Sequence, residues 1–269
     1  MYVNNDMCDL CIQIRSSNVA SRIGLKSNSR RKEALRVRHL HSRWGRTIKG
    51  AVLTKKLFQL YSFYARVLSD DERHSMILDY ALEKFPLEVK LRDGTECVVR
   101  PLGKRDATRL HKFILAVPEE ERLFIKQPVE NRALFQEWCR DADFDHNLPL
   151  LMLHGEKIVG EACLHQRLGG WKRHIGLVTV LTHPQYRGRD VAKILVNELV
   201  EIARSLGLRR LEAELNGERK VAIHALEQLG FCELMRLPHH VLDMKTVPHD
   251  YVFMGADLHV DEEYAGVGE

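Results

Sequence analysis

The sequence predicts a mixed α/β domain with one open sheet and helices on its faces. Three observations carry that prediction. Beyond Pro86, extended and helical patterns alternate in the order β-α-α-β-β-β-α-β-α-β-β. Asp93-Gly94 sits between two extended segments, as a tight hairpin requires. A β-rich run, 174–182, passes through a short glycine-bearing turn straight into an amphipathic helix, 191–206.

The elements follow in order. Residues 97–102 read as a strand and 104–115 as a helix, with a further helix over 131–140. Residues 150–153 and 157–165 read as strands joined at His154-Gly155-Glu156, with Pro149 just ahead of the first. The strand 174–182 stops at His183-Pro184, and the long helix 191–206 stops at Gly207. A strand at 211–215, a helix at 220–229 ended by Gly230, and final strands near 232–236 and 251–256 complete the domain. It is bounded at 87–259, and 260–269 reads as a flexible tail.

Upstream the character differs. Residues 1–50 show no sustained period and read as a disordered basic arm. The chain has 269 residues and a net charge of +4. Residues 1–50 alone balance at +8, eleven Lys/Arg against three Asp/Glu; residues 51–86 balance at zero, so the rest sums to −4. The arm is either a polyanion-binding segment or a solvated extension; aromatic interleaving is almost absent, with Trp44 the only good candidate for base stacking. Residues 51–86 predict a helical pair. Leu57, Phe58, Leu60, Tyr61, Tyr64, Val67 and Leu68 recur at helical spacing, and Ser69 with Glu72 forms a capping box before a second helix ended by Pro86. So short a pair needs another surface to pack on, the domain that follows or a second copy in a homodimer.

Composition narrows the class. A hydrophobic fraction of 45% and a charged fraction of 29% describe a globular chain, and no apolar run reaches the roughly 18 residues of a membrane span. The expectation is a cytoplasmic protein that does not engage a membrane. Six scattered cysteines suit reduced thiols. Cys8-x-x-Cys11 lacks a second pair, so no metal site is expected.

The chemistry concentrates at 178–196. The first turn of a helix presents unpaired N–H groups and the positive end of the dipole. A glycine there lets backbone approach an anion closely, and Arg187 and Arg189 add charge beside Gly188. This stretch, Thr182-His183-Pro184 followed by Gln185-Tyr186-Arg187-Gly188-Arg189-Asp190, resembles the acetyl-CoA-binding motif of the GNAT acyltransferases. Ala222 to Phe231, ending Leu229-Gly230-Phe231, resembles the second signature of that family, and the element order matches over about 170 residues. The resemblance implies the GNAT fold, a mixed and mostly antiparallel sheet flanked by helices. It also implies acetyl-CoA as cosubstrate and transfer of acetyl to an amine by direct attack in a ternary complex. The acceptor would be a small molecule or a protein lysine or N-terminus.

On that resemblance the pantetheine arm pairs with Val180, Leu181 and Thr182, where the strand parts from 211–215. The pyrophosphate rests on the amides of Arg187, Gly188, Arg189, Asp190, Val191 and Ala192. Arg219 stands where the family often has asparagine. An N–H near Leu181 or Thr182 would receive the developing oxyanion.

Three positions depart from the pattern. Asp190 replaces the last small residue of the cradle; its carboxylate either caps the amides an anion needs or turns outward toward Arg187 or Arg189. Leu226 replaces the tyrosine that many members use as an acid, and Leu177 a glutamate used as a base. Replacement bases are Glu214 across the gap, and Glu161 and His165, an even number of residues apart and so on one face of a regular strand. These losses leave an alternative, an acyl-CoA-binding regulatory module without turnover. A third possibility is an acetyltransferase carried to nucleic acid by its basic arm. Glu119-Glu120-Glu121 after Pro118 reads as an exposed helix start. His165, Trp171, Arg173 and His174 around Gly169-Gly170 read as either a substrate lip or hairpin packing.

Overall fold

The computed structural model describes residues 70–258 apart from 124, 126–128 and 130. The basic arm, the first helix of the predicted pair, the Ser69 cap, the Cys8/Cys11 pair and the C-terminal tail lie outside them. Contacts divide the chain into two units, Met1–Arg73 and His74–Glu269, and the whole sheet belongs to the second.

Helix α1 (Asp70–Leu82) leads into hairpin β1 (Leu87–Lys90) and β2 (Glu96–Pro101). Helices α2 (Ala107–Ala116), α3 (Glu119–Arg122) and α4 (Arg132–Arg140) follow. Strands β3 (Asn147–His154), β4 (Lys157–Gln166) and β5 (Ile175–Thr182) form a meander. Helix α5 (Val191–Ser205), strand β6 (Arg210–Asn216), helix α6 (Lys220–Glu227) and strands β7 (Cys232–Leu242) and β8 (Pro248–Asp257) complete the chain. The eight strands order as β1-β2-β3-β4-β5-β6-β8-β7, all antiparallel except β5 against β6.

Predicted and observed elements agree closely, with two instructive differences. Strand β3 begins at Asn147 and so contains Pro149, which the sequence placed ahead of the strand. The Pro149 carbonyl accepts the Leu102 N–H at 3.0 Å. Nitrogen and carbonyl of one strand residue point to the same side, so the missing donor of Pro149 faces the place where β2 has already ended. Strand β7 runs to Leu242, six residues beyond expectation, because β8 pairs with it as far as Pro248. Irregularities between Glu233 and Met235 and between Leu237 and Val241 interrupt that long edge strand.

The sheet buries a different set of side chains on each face. On one, Leu148, Leu150, Met152, Ala162, Leu164, Val178 and Leu211 meet the apolar stripe of α5, namely Val191, Leu195, Val196, Leu199, Ile202 and Ala203. Each such side chain stabilises by about 1.5–3 kcal/mol relative to exposure. Leu78, Ala81, Leu82 and Phe85 join this cluster, so the start of the domain and the second predicted helix share one core. On the other face Leu151, Leu153 and Ile158 meet Leu110, Phe113, Ile114, Phe135 and Cys139 of α2 and α4. An extra residue in β4, Val159, shifts the pairing between Met152 and Leu153, so that Val159 joins the first cluster and Ile158 the second.

Gly160 sets how closely α5 can approach. A Cβ there would stand 2.4 Å from Val191 Cγ1 and 2.9 Å from Leu195 Cδ1. The first turn of α5 therefore lies directly on β4. Among the described residues no helix is long and apolar enough to cross a membrane, and no group of three or more metal-ligating side chains converges.

Candidate functional site

The two flanks of β5 are unlike. Against β4 it is paired from Gly176 to Thr182 without interruption. Against β6 it is paired only at Ile175–Arg210, Gly176–Leu211 and Leu177–Glu212, and from Val178 and Ala213 onward the strands part. His183 donates its N–H to the Val159 carbonyl at 2.9 Å. Strand alternation then directs the N–H of Leu181 at β4, and those of Val180 and Thr182 into the gap. Of the two oxyanion positions named from the sequence, the open one is Thr182.

Beyond Thr182 the chain makes one 3-10 turn, Pro184–Tyr186, capped by the buried His183. Its Nδ1 accepts the Gln185 N–H at 3.2 Å. Burial, together with the charges of Lys157 and Arg187, pushes the His183 imidazole below its ordinary value, which keeps that acceptor unprotonated. Gly188 then takes φ +72°, and a Cβ at this position would meet nothing within 4 Å, so the backbone on that side is bare. Asp190 precedes α5 at φ 68°, ψ 15°, in the left-handed region that favours glycine and that Asp tolerates at some cost. Its carbonyl accepts the Ile194 N–H at 2.9 Å.

The Asp190 side chain does neither thing expected of it. It makes no capping hydrogen bond, and it is exposed. Nor does it pair with the neighbouring arginines. Arg189 reaches Asp93 in the β1–β2 turn at 2.6 Å and lies 5.1 Å from the Tyr186 ring, and Arg187 reaches Glu121 of α3 at 2.7 Å. The amides of Val191, Ala192 and Lys193 are thus left without a side-chain cap, as a helix terminus built for an external anion requires. An acyl-CoA diphosphate fits these residues, since the cradle is open at Gly188 and uncapped at Asp190.

Arg219, immediately before α6, also reaches Glu121, at 2.9 Å. The exposed helix start read from Glu119-Glu120-Glu121 is corrected on this point. Helix α3 does begin at Glu119, but the Glu121 side chain is only 9% exposed and carries two arginines. Its partners lie 66 and 98 positions later, so no local pattern announced it.

Strand register gathers the three proposed bases. Leu177 pairs with both His165 and Glu212, and Glu161 pairs with Leu181. Glu161, His165, Glu212 and Glu214 therefore project from one face of the sheet, opposite α5. Their surroundings separate them. Glu161 is 9% exposed and has no hydrogen-bond or ion-pair partner among the described residues; burial pushes its carboxyl up to about 8. His165 is held at both ring nitrogens, with Nδ1–H donating to Asn147 Oδ1 at 2.7 Å and Nε2 accepting from Thr179 Oγ1 at 3.2 Å. Burial pushes it down to about 4, so it is neutral at physiological pH. Glu214 takes a hydrogen bond from Tyr251 of β8, whose phenol is raised by burial and by the charges of Glu214 and Glu212. Leu226 is buried and packs in the core. Trp171 is 85% exposed, so the hairpin tip at Gly169-Gly170 does not pack around it.

Comparison with known proteins agrees with this geometry. Residues 114–231 match the model of the acetyltransferase (GNAT) family. No curated protein matches the sequence. Among solved structures, the GNAT domain of S. lividans PAT is 22% identical with a TM-score of 0.53, covering 64% of this chain and 96% of its own. A spermidine N-acetyltransferase SpeG chimera from Vibrio cholerae and hSSAT is 17% identical with a TM-score of 0.51, covering 63% and 98%. The yncA protein of Salmonella typhimurium, described as a putative acetyltransferase with its cofactor acetyl-CoA, is 16% identical with a TM-score of 0.51, covering 61% and 95%. At these identities the likeness is one of fold. Together with the family match it identifies the domain spanning residues 114–231 as a GNAT-family acetyltransferase domain.

Proposed function

We propose that the chain is an N-acetyltransferase that moves acetyl from acetyl-CoA to a primary amine, with Glu161 as the general base. The observation that carries this reading is the opening of β5 from β6 beside an uncapped, glycine-open helix terminus. Acetyl-CoA, as cosubstrate, supplies the acetyl thioester. The open edge at Val180 and Thr182 receives the pantetheine amides as an added strand. The amides from Arg187 to Ala192, flanked by Arg187, Arg189 and Arg219, receive the diphosphate.

Glu161 stands across from Leu181, between the open-edge N–H groups of Val180 and Thr182. Its carboxylate takes the proton that the amine must lose as nitrogen bonds to the carbonyl carbon and the C–S bond breaks. A base whose pKa lies near 8 is matched to that transfer. Thr182 N–H stabilises charge on the thioester oxygen. The buried Leu226 offers no proton, so the thiolate leaves as an anion and is protonated by solvent. His165, held at both ring nitrogens and neutral, and Glu214 with Tyr251 lie on the same sheet face as Glu161.

The reading is tested by calorimetric titration of the full chain with acetyl-CoA, followed by release of free thiol across a panel of amines. Micromolar binding with amine-dependent thiol release is the expected result. Binding without turnover on any amine would leave the domain a cofactor-binding regulatory module.

A further inference from the structure

Two guanidinium groups from different elements converge on Glu121. Arg187 follows the end of β5 and Arg219 the end of β6, so Glu121 ties together the mouths of the two strands that part. Neither arginine makes a second ion pair among the described residues. Two arginines on one carboxylate leave a net positive charge, and their planar donors suit a phosphate at least as well as a carboxylate. Helix α3 is also held from its other side. Glu119 accepts from Lys245 Nζ at 2.7 Å, and the Leu123 carbonyl accepts the Met244 N–H at 3.1 Å, both in the turn between β7 and β8.

We infer that Glu121 is a resident anion that keeps the place of a cofactor phosphate: the diphosphate of an acyl-CoA displaces it from Arg187 and Arg219 and so releases one of the two tethers of α3. The inference rests on the acyl-CoA reading of the cradle. Its physical content is a competition. The same two cations cannot serve the carboxylate and the diphosphate in full, so part of the cofactor's binding energy is spent on breaking the internal pair. What that expenditure accomplishes is coupling. Helix α3 precedes the loop leading to α4, and occupancy of the cradle is transmitted to it through one side chain.

The test is calorimetric titration of the full chain with coenzyme A, wild type beside Glu121→Gln, with thermal melts confirming that both fold. Removing the competing charge tightens coenzyme A binding about three- to tenfold. Dephospho-coenzyme A, which lacks the 3′-phosphate, shows the same tightening, since the diphosphate is the group that meets the arginines. Unchanged or weaker binding by the variant overturns the inference and makes Glu121 a positioning residue for the arginines. Tightening confined to coenzyme A overturns the diphosphate assignment. Absence of binding by either folded protein instead overturns the cofactor reading beneath it. Hydrogen exchange on the wild type gives an independent check should the variant fail to fold. The amides of Glu121, Arg122 and Leu123, bonded within α3 and to Pro118, exchange faster with coenzyme A present; unchanged or slower exchange overturns the inference.

Discussion

Strand β5 has one closed flank and one open flank, and the proposed chemistry rests on that contrast. Toward β4 every position from Gly176 to Thr182 has a partner, and β4 carries the buried Glu161 and a His165 held at both ring nitrogens. Toward β6 pairing ends after Leu177, and the open flank offers backbone N–H groups and a helix terminus. Burial at the closed flank perturbs side-chain ionisation. Exposure at the open flank leaves main-chain donors to be satisfied by a ligand. On the proposed function, β5 offers one edge to an acyl carrier while its neighbour β4 carries the proposed proton acceptor.

The sharpest way to break this comparison is Glu161→Gln. The proposed role of Glu161 as base predicts that its loss lowers kcat about 10²–10⁴-fold while acetyl-CoA affinity is retained. Wild-type kcat/KM climbs with pH toward a plateau above about 8, and the variant loses that limb. A variant retaining the same midpoint would move the base elsewhere, to Glu214 first. Stability gives a second readout. The folded carboxyl is raised from 4.5 to about 8, so the unfolded chain releases its proton first as pH rises. Between those values the unfolded state binds fewer protons, and wild-type stability falls with increasing pH. Melting temperatures of Glu161→Gln therefore overtake those of wild type between pH 5 and pH 8.

Gly160→Val tests whether the two flanks are mechanically joined. The added side chain meets Val191 and Leu195, so α5 must move off β4 and carry the cradle with it. Overpacking of this kind costs about 1–3 kcal/mol, or a fall in Tm of several degrees. Acetyl-CoA affinity falls with it. A stable variant with unchanged affinity would show that the cradle does not depend on the seat of α5.

His165→Leu separates scaffold from catalyst. It leaves Asn147 and Thr179 without their shared partner, at a cost of about 1–3 kcal/mol. The pH midpoint of activity stays where Glu161 sets it. Because burial lowers the folded imidazole from 6.5 to about 4, wild-type His165 contributes stability above pH 6.5 that is lost as pH falls toward 4. The leucine variant lacks that acid-limb dependence in its melts. A shift in the activity midpoint would make His165 a participant in proton transfer.

These sites differ in how far the sequence disclosed them. The open flank was legible because it is contiguous: strand, glycine turn and helix start occupy 178–196, and local rules describe each. The parity of Glu161 and His165 was legible too, since both lie beyond the Val159 bulge on a regular stretch. Their environments were not. Whether a glutamate is solvated or buried without a partner depends on β3, β5 and the helices above, all distant in sequence. Glu121, Tyr251 and the Asn147–His165–Thr179 chain are products of tertiary assembly in the same sense. Pro149 inside β3 and the long β7 were missed for a related reason, because the neighbouring strand, rather than local propensity, set their limits.

The smallest expected effect falls at the position where the sequence departs most visibly from its family. Asp190 sits at φ 68° with an exposed side chain and no cap, so glycine fits the same backbone without the steric cost of a Cβ. Asp190→Gly raises stability by about 0.5–1 kcal/mol, discounted by the greater freedom of glycine in the unfolded chain. It also removes one negative charge beside the amides that receive the diphosphate, and acetyl-CoA affinity rises about two- to fivefold at low salt. Calorimetry at two ionic strengths separates the contributions, since the charge effect shrinks with salt and the conformational one does not. A gain unaltered by salt would assign the whole effect to backbone strain. Loss of affinity would show that the carboxylate, for all its exposure, helps hold the turn.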